Sequence, residues 1–274
     1  MDIRKDTFNI DPVKLAQAVA HIDKNHAGKS LTPKCILPVD IFGLPAEYDA
    51  IFGIADRFGL VVIEDAAQSL GGRIDDRMAG NLAHMGATSF FPAKPLGCYG
   101  DGGAVFTNDD HLQEKLASIR VHGKGQHKYD TVRTGINGRL DTLQAAVLIQ
   151  KLKIFTDEID KRCKVAQKYR EHLVGKVVCQ IVPAPYESAW AQFSFLCENR
   201  SRVISRLEKN HIPYGIYYPS PLHLQKAFSG LDYRKGDFPV AEMVSDAILS
   251  IPMHPYLSEE QTDFVIHTVV SDLT

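Results

Sequence analysis

A lysine and a carboxylate, each following an apolar run, are the residues of this sequence best suited to chemistry. Lys94 comes after Thr-Ser-Phe-Phe-Pro-Ala and is followed by a proline and a glycine-rich loop. Partial burial lowers the pKa of an amine and favours its neutral form, the nucleophile needed for a Schiff base. The alternative is a lysine at a strand end whose charge stays in water, and the local sequence alone favours this alternative.

Asp65 lies just after the continuous apolar run at 60–63, which is typical of a buried strand. A carboxylate there can pair with the ring nitrogen of pyridoxal phosphate (PLP) and keep it protonated, or it can cap a following helix. Gln68 lies three residues further on. It can reach the same pocket if a helical turn starts at Asp65, or it can close a capping box with Asp65.

Ser89 lies five residues before Lys94, where its hydroxyl can donate to a phosphate, although a serine in a strand more often has a structural role. Four glycines between 97 and 103 permit a tight turn or a close backbone approach. Their spacing differs from the dinucleotide fingerprint and they do not open a helix, which excludes a Rossmann interpretation.

Two further candidates precede a predicted long helix, and a third lies in an aromatic, proline-rich stretch. Asn137 can cap the helix, while Arg139 can bind an anion or pair with Asp141. Tyr218 can belong either to a packed loop or to a pocket wall.

Strands alternating with helices are the elements that must position these residues in the first half. The pattern predicts helices at 11–20, with Asp11 as cap, at 45–58, and after Asp109 or Asp110. It predicts strands at 35–39, 60–63, 87–91 and 104–107. This alternation indicates an α/β layer with a largely parallel sheet, whose ligands bind at the carboxyl ends of the strands.

The second half differs in character. It begins in a long helical pattern at 139–173, which can contain a kink. Strands are predicted at 177–182, 190–197 and 214–218, and helices at 201–210, 239–249 and from Ser258, where Gln261 completes a capping box. We predict a large domain over 1–155 and a smaller α+β domain over 156–274.

The composition excludes several classes of protein. The 274 residues carry a net charge of −2, which argues against nucleic acid as a partner. Five scattered cysteines without a C-x-x-C pair favour a reducing cytoplasm over a disulfide framework or a zinc site. The histidines show no metal-ligand spacing, and no run resembles a signal peptide or a membrane span.

Taken together, the segments resemble the DegT/DnrJ/EryC1/StrS family of sugar aminotransferases, which are fold-type I PLP enzymes. The resemblance rests on Glu-Asp-Ala-Ala-Gln-Ser, the stretch from Ser-Phe-Phe-Pro-Ala-Lys to Gly-Asp-Gly-Gly-Ala, and Asn-Gly-Arg-Leu-Asp-Thr-Leu-Gln-Ala-Ala, at 64–69, 89–104 and 137–146. Tyr-Pro-x-Pro-Leu-His at 218–223 and Ser-Ile-Pro-Met-His-Pro-Tyr-Leu at 250–257 extend it to the second half.

The resemblance implies a role for each cofactor residue. Lys94 would bind PLP covalently and then move a proton between the substrate carbon and the cofactor. Asp65 would bind the pyridine nitrogen, Gln68 the ring hydroxyl, and Ser89 the phosphate. Asn137 would reach the phosphate of the cofactor in a neighbouring subunit.

The resemblance also implies the substrates and the assembly. Arg139 and Tyr218 would lie near a nucleotide-linked sugar, glutamate would be the amino donor, and a homodimer would share its active sites. The glycine-rich segment is most similar to that of enzymes that aminate a 3-keto UDP-N-acetylhexuronic acid on the way to surface polysaccharides. Some relatives carry histidine where this chain has Tyr217, so the particular sugar stays open.

Chains of this family begin about a hundred residues earlier, so we expect a form that lacks an amino-terminal phosphate-binding turn and a ring-stacking aromatic residue. We therefore expect this chain to have little or no transaminase activity by itself. Two alternatives stay open. One is a family member that catalyses dehydration, against which the lysine argues because those relatives carry histidine there. The other is an inactive remnant that serves as a binding or regulatory subunit.

Overall fold

The computed structural model describes residues 1–22, 32–127 and 129–271. Its helices are α1 (Pro12–Ile22), α2 (Tyr48–Phe58), α3 (Asp110–Arg120), α4 (Thr142–Leu152), α5 (Phe155–Leu173), α6 (Arg200–Lys209), α7 (Pro239–Ala247) and α8 (Glu259–Val270), with short 3-10 turns at Ile41–Gly43, Leu222–Leu224 and Lys226–Leu231. Its strands are β1 (Cys35–Ile36), β2 (Val61–Asp65), β3 (Arg73–Ile74), β4 (Arg77–Met78), β5 (Met85–Ser89), β6 (Gly103–Phe106), β7 (Val178–Cys179), β8 (Tyr186–Glu187), β9 (Phe193–Leu196) and β10 (Ile248–Ile251).

The sheet that carries the candidate residues has the order β1-β2-β5-β6. Strands β1, β2 and β5 are parallel, and β6 is antiparallel to β5. The predicted α/β layer with a mostly parallel sheet is therefore confirmed. Because β2 and β5 run in the same direction, their carboxyl ends lie at the same edge of the sheet.

Helices α1 and α2 cover one face of this sheet. The Asp11 carboxylate accepts hydrogen bonds from the backbone N–H groups of Val13 and Lys14, at 2.8 and 3.3 Å, which confirms the predicted cap. Helix α2 places Tyr48, Ile51 and Ala55, all fully buried, in one core with α1 and β2. The 3.6-residue period of apolar side chains thus forms the layer that holds the strands in place.

The second half builds a core of its own around the antiparallel sheet β10-β9-β7. Helices α5, α6 and α8 supply Tyr169, Leu207 and Val269 to this core, and Phe193 and Phe195 come from β9. Ser258 and Gln261 form the predicted capping box at the start of α8. The division of the chain at residue 155 stays a prediction.

Three predictions about elements were wrong. The segment 214–218 contributes only an isolated bridge between Gly215 and Ser250 instead of a strand. Ile248–Ile251, half of which was predicted to be helical, forms the fully buried strand β10, because pairing with β9 outweighs the local helical pattern. Helix α4 starts at Thr142 after Asp141, so Asn137 does not cap it.

The long helical pattern is divided at residues 153 and 154, where α4 ends and α5 begins. Across the part of the chain that the structure describes, no helix combines the length and the apolar character needed to cross a membrane.

Candidate active site

The carboxyl end of β2 places Asp65 beside the next strand of the sheet. Its backbone N–H donates to the carbonyl oxygen of Pro38 (2.9 Å), and its carbonyl oxygen accepts from the N–H of Asp40 (3.1 Å). Its carboxylate Oδ1 accepts from the N–H of Ala67 at 3.0 Å. Within the described residues, Oδ2 has no hydrogen bond, so the half-buried carboxylate keeps one oxygen for a ligand.

Lys94 lies in the turn that follows β5. Its backbone N–H donates to the carbonyl oxygen of Phe91 (2.9 Å), which fixes the turn. Burial lowers the pKa of the Lys94 ammonium group, and the negative charge of Asp65 partly opposes this. Across residues 1–22, 32–127 and 129–271, the amine has no hydrogen bond or ion pair. A half-buried amine without a partner, in the field of a carboxylate, suits nucleophilic chemistry.

Helix α4 holds the glycine-rich loop behind Lys94. The side chain of Lys151 donates to the carbonyl oxygen of Gly97 (2.7 Å), and Gln144 Oε1 accepts from the N–H of Tyr99 (2.8 Å). A Cβ atom on Gly97 would lie 2.5 Å from the carbonyl oxygen of Pro92, so this position requires glycine. The roles of Gln144 and Lys151 were missed by the sequence analysis because the local pattern gives no signal for them.

Gln68 is buried next to the turn at Ile41–Gly43. Its Oε1 accepts from the backbone N–H of Phe42 at 2.5 Å. It therefore does not close a capping box with Asp65, because the amide oxygen is already engaged by a different segment. This contact fixes the orientation of the amide and leaves its NH2 group as a donor.

Ser89 ends β5 at the same sheet edge as Asp65. Its hydroxyl oxygen accepts from the N–H of Phe91 (3.2 Å), so the hydroxyl proton can be donated to a ligand. The edge therefore offers a carboxylate, an amide NH2 group, a hydroxyl and a half-buried amine. These groups complement the ring nitrogen, the ring hydroxyl, the phosphate and the aldehyde of PLP, so the residues present fit that cofactor.

The remaining predicted site residues are more exposed and make up the second group: Asn137 and Arg139 lie together, and Tyr218 lies in a separate segment of the chain. Arg139 Nε donates to Asn137 Oδ1 (3.2 Å), and both residues line a cavity of about 420 Å³ together with Asp141. Arg139 does not pair with Asp141. Tyr218 is 55% exposed, with its ring 5.8 Å from that of Tyr217. Within the described residues, no hydrogen bond joins this group to Asp65, Gln68, Ser89 or Lys94.

The mainly parallel α/β sheet, with these groups at its carboxyl edge, belongs to the class of fold-type I PLP-dependent transferases. Residues 1–270 match the DegT/DnrJ/EryC1/StrS aminotransferase family, and the chain belongs to this family. It is therefore a PLP-dependent aminotransferase by fold and family, as the resemblance predicted.

Three relatives support this assignment. The UDP-2-acetamido-2-deoxy-3-oxo-D-glucuronate aminotransferase of Pseudomonas aeruginosa is 42% identical over 261 residues, which cover 94% of this chain and 68% of that protein. The crystal structure of a DegT DnrJ EryC1 StrS aminotransferase from Brucella abortus is 50% identical with a TM-score of 0.94, covering 98% of this chain and 71% of that one. DesV from S. venezuelae, solved in complex with a ketimine intermediate, is 34% identical with a TM-score of 0.90, covering 99% and 71%.

Proposed function

We propose, in place of the expected lack of activity, that this chain transfers an amino group to a keto group of a nucleotide-linked sugar, with Lys94 as the residue that binds PLP. The observation that carries the proposal is the half-buried Lys94 amine, which has no partner among the described residues and lies in the field of Asp65. The sugar aminotransferase of Pseudomonas aeruginosa, 42% identical, supports the substrate class.

Each residue at the sheet edge has a separate task in this proposal. The free oxygen of Asp65 would accept a hydrogen bond from the protonated ring nitrogen, the Gln68 NH2 group would donate to the oxygen of the ring hydroxyl, and the Ser89 hydroxyl would donate to the phosphate. When bound, PLP supplies an electron sink for the substrate carbon. Lys94 would hold PLP covalently, and its Nζ would also move a proton to or from the substrate carbon.

The exposed group has the task of binding the sugar. Arg139 can form charge-assisted hydrogen bonds with an anionic part of the substrate, and Tyr218 offers an aromatic face and a hydroxyl. We propose a 3-keto UDP-N-acetylhexuronic acid as the acceptor, after the relative from Pseudomonas aeruginosa. Glutamate is the proposed amino donor. A comparison of amino transfer rates over a panel of amino acids tests this, and 2-oxoglutarate should be released when glutamate is the donor.

We also propose that the chain works as a homodimer in the cytoplasm. Helix α4 exposes Leu143 (80%), Ile149 (57%) and Leu152 (54%), more apolar surface on one short helix than a monomer usually leaves in water. Asn137 precedes this helix and would reach the partner's cofactor phosphate. All five cysteines are free, which suits a reducing compartment.

Borohydride trapping followed by peptide mapping tests the central claim. We expect the purified chain, incubated with PLP and then reduced, to carry a pyridoxyl group on the peptide that contains Lys94. The variant K94A should lose the label and lose amino transfer to the keto-sugar by about a thousandfold. The matched control K161A removes an exposed lysine that is paired with Asp157, and it should leave both unchanged.

Labelling of other lysines in place of Lys94 would contradict the proposal. Folded protein that takes up no PLP would contradict it as well, and it would favour an inactive binding or regulatory subunit.

A further inference from the structure

We propose that Asp40 is a positioning residue that holds Asp65 and Gln68 in their places at the cofactor edge. This inference rests on the proposed function, because it assumes that those two residues contact the cofactor. Asp40 does not reach the edge itself. It acts through hydrogen bonds to the segments that carry the two side chains.

The first set of bonds leads from Asp40 to the segment that follows β2. The backbone N–H of Asp40 donates to the carbonyl oxygen of Asp65 (3.1 Å). The hydroxyl of Ser69 donates to Asp40 Oδ2 at 2.7 Å, and both side chains are fully buried. Since Ser69 directly follows Gln68, one residue ties both ends of the segment 65–69.

The second set of bonds fixes the loop that orients the Gln68 amide. Asp40 Oδ1 accepts from the backbone N–H of Ala46 (2.8 Å) and from the hydroxyl of Tyr48 (3.0 Å). The carbonyl oxygen of Asp40 accepts from the N–H of Gly43 (3.3 Å). Phe42, whose N–H binds Gln68 Oε1, lies inside this loop. Asp40 therefore joins the two segments that meet at Gln68.

The buried groups around Asp40 shift the pKa of its carboxyl group. Burial, together with the charge of Glu64, raises the pKa of Asp40 well above its usual range. Burial raises the pKa of Glu64 as well, and the N–H groups of Gly80 (2.6 Å) and Leu82 (2.9 Å), which donate to its carboxylate, partly oppose this. Asp65 and Tyr48 are the other titratable groups facing the pair. Asparagine has nearly the shape of Asp40 and keeps one oxygen acceptor, but it replaces the other oxygen with an NH2 donor.

A matched pair of variants separates positioning from ordinary stabilisation. S69A and Y48F each remove one buried hydroxyl bonded to the same Asp40 carboxyl group. S69A removes the side-chain bond from Asp40 to the segment 65–69, whereas Y48F leaves the Ala46 N–H bonded to the same oxygen, so the loop keeps its tie to Asp40. We expect S69A to raise the dissociation constant of PLP about fivefold and Y48F to raise it less than about twofold. Thermal unfolding of the two cofactor-free variants should show similar losses in Tm.

Substitutions of Asp40 itself complete the experiment. D40A should raise the PLP dissociation constant more than S69A does and shift the pH dependence of the absorbance band of lysine-bound PLP. D40N can keep its oxygen on Ala46 and Tyr48 and donate from its NH2 group to the Ser69 hydroxyl, so it should restore the wild-type band and bind PLP within about twofold of wild type. Equal effects of S69A and Y48F on PLP binding, or a D40N variant as impaired as D40A, would overturn the proposal.

A readout without cofactor keeps this inference separate from the proposed function. In the cofactor-free chain, S69A should speed amide hydrogen exchange at 66–70, and Y48F should not. If exchange at 66–70 is faster in S69A but wild-type Lys94 takes up no PLP, the positioning role of Asp40 is supported and the proposed function is contradicted. If exchange is unchanged in S69A and wild-type Lys94 is labelled normally, the positioning role of Asp40 is contradicted and the proposed function stands.

Discussion

The two groups of predicted site residues differ in what holds them. The first group is proposed to bind the cofactor and consists of Asp65, Gln68, Ser89 and Lys94, which are buried or half-buried at or shortly after the ends of two adjacent strands. The second group is proposed to bind the substrate and consists of Asn137, Arg139 and Tyr218. All three are exposed, and a hydrogen bond joins the first two. Strand pairing, the turn at Lys94 and the contact from Phe42 position the first group. In the second group, Asn137 lies in an isolated bridge with Val121, and Tyr218 is 55% exposed.

This difference indicates that the two groups are positioned in different ways. Parallel strands bring the first group to one sheet edge, which would pre-organise it for the proposed cofactor. In the second group, Asn137 and Arg139 directly precede helix α4, which exposes Leu143 and Ile149. Such a face is suited to a partner subunit, which would complete the second group.

The largest effect that tests the comparison is expected for D65N. Loss of the carboxylate that faces the ring nitrogen should lower kcat about a hundredfold. The negative charge of Asp65 raises the pKa of Lys94, so the neutral amide should lower that pKa further. The pH dependence of Lys94 modification in the cofactor-free chain measures this change. The control D49N alters an exposed carboxylate paired with Arg77 and should leave both quantities unchanged, while a rise in the Lys94 pKa in D65N would contradict the argument.

A smaller effect, confined to the sugar, is expected for R139A. Removal of the guanidinium group should raise the KM for the nucleotide sugar about tenfold and leave the PLP dissociation constant unaltered. Steady-state kinetics together with PLP titration separate these quantities, and R133A, an exposed arginine nearby, is the control. If R139A weakened PLP binding as strongly as it weakened sugar binding, the two groups would not be independent.

The smallest effect is expected for Q144A, which connects the two regions. Loss of the hydrogen bond to Tyr99 N–H should loosen the glycine-rich loop and raise the PLP dissociation constant about fivefold. Gln150 lies on the same helix, and among the described residues its side chain bonds only to Lys153. Q150A is therefore the matched control. Equal PLP affinities of Q144A and wild type would show that α4 does not support the loop.

Features that depend on residues close together in the sequence could be predicted, whereas contacts between distant residues could not. The cap at Asp11, the capping box at Ser258 and the strands before Asp65 and Lys94 are encoded within a few residues, and these predictions were confirmed. The partner of Gln68 lies 26 residues away, and those of Gln144 and Lys151 lie 45 and 54 residues away. No local pattern reports such pairs.

The sequence by itself determined the α/β class, the family and the residue types at the sheet edge, because strand ends and side-chain chemistry follow from short motifs. Only the tertiary structure decided that Gln68 turns its amide oxygen towards Phe42 and that Asp40 lies buried between two segments. It also decided that Ile248–Ile251 is a strand. The physical reason is that hydrogen-bond partners and burial are properties of neighbours in space, and these exist only once the sheets and helices have packed.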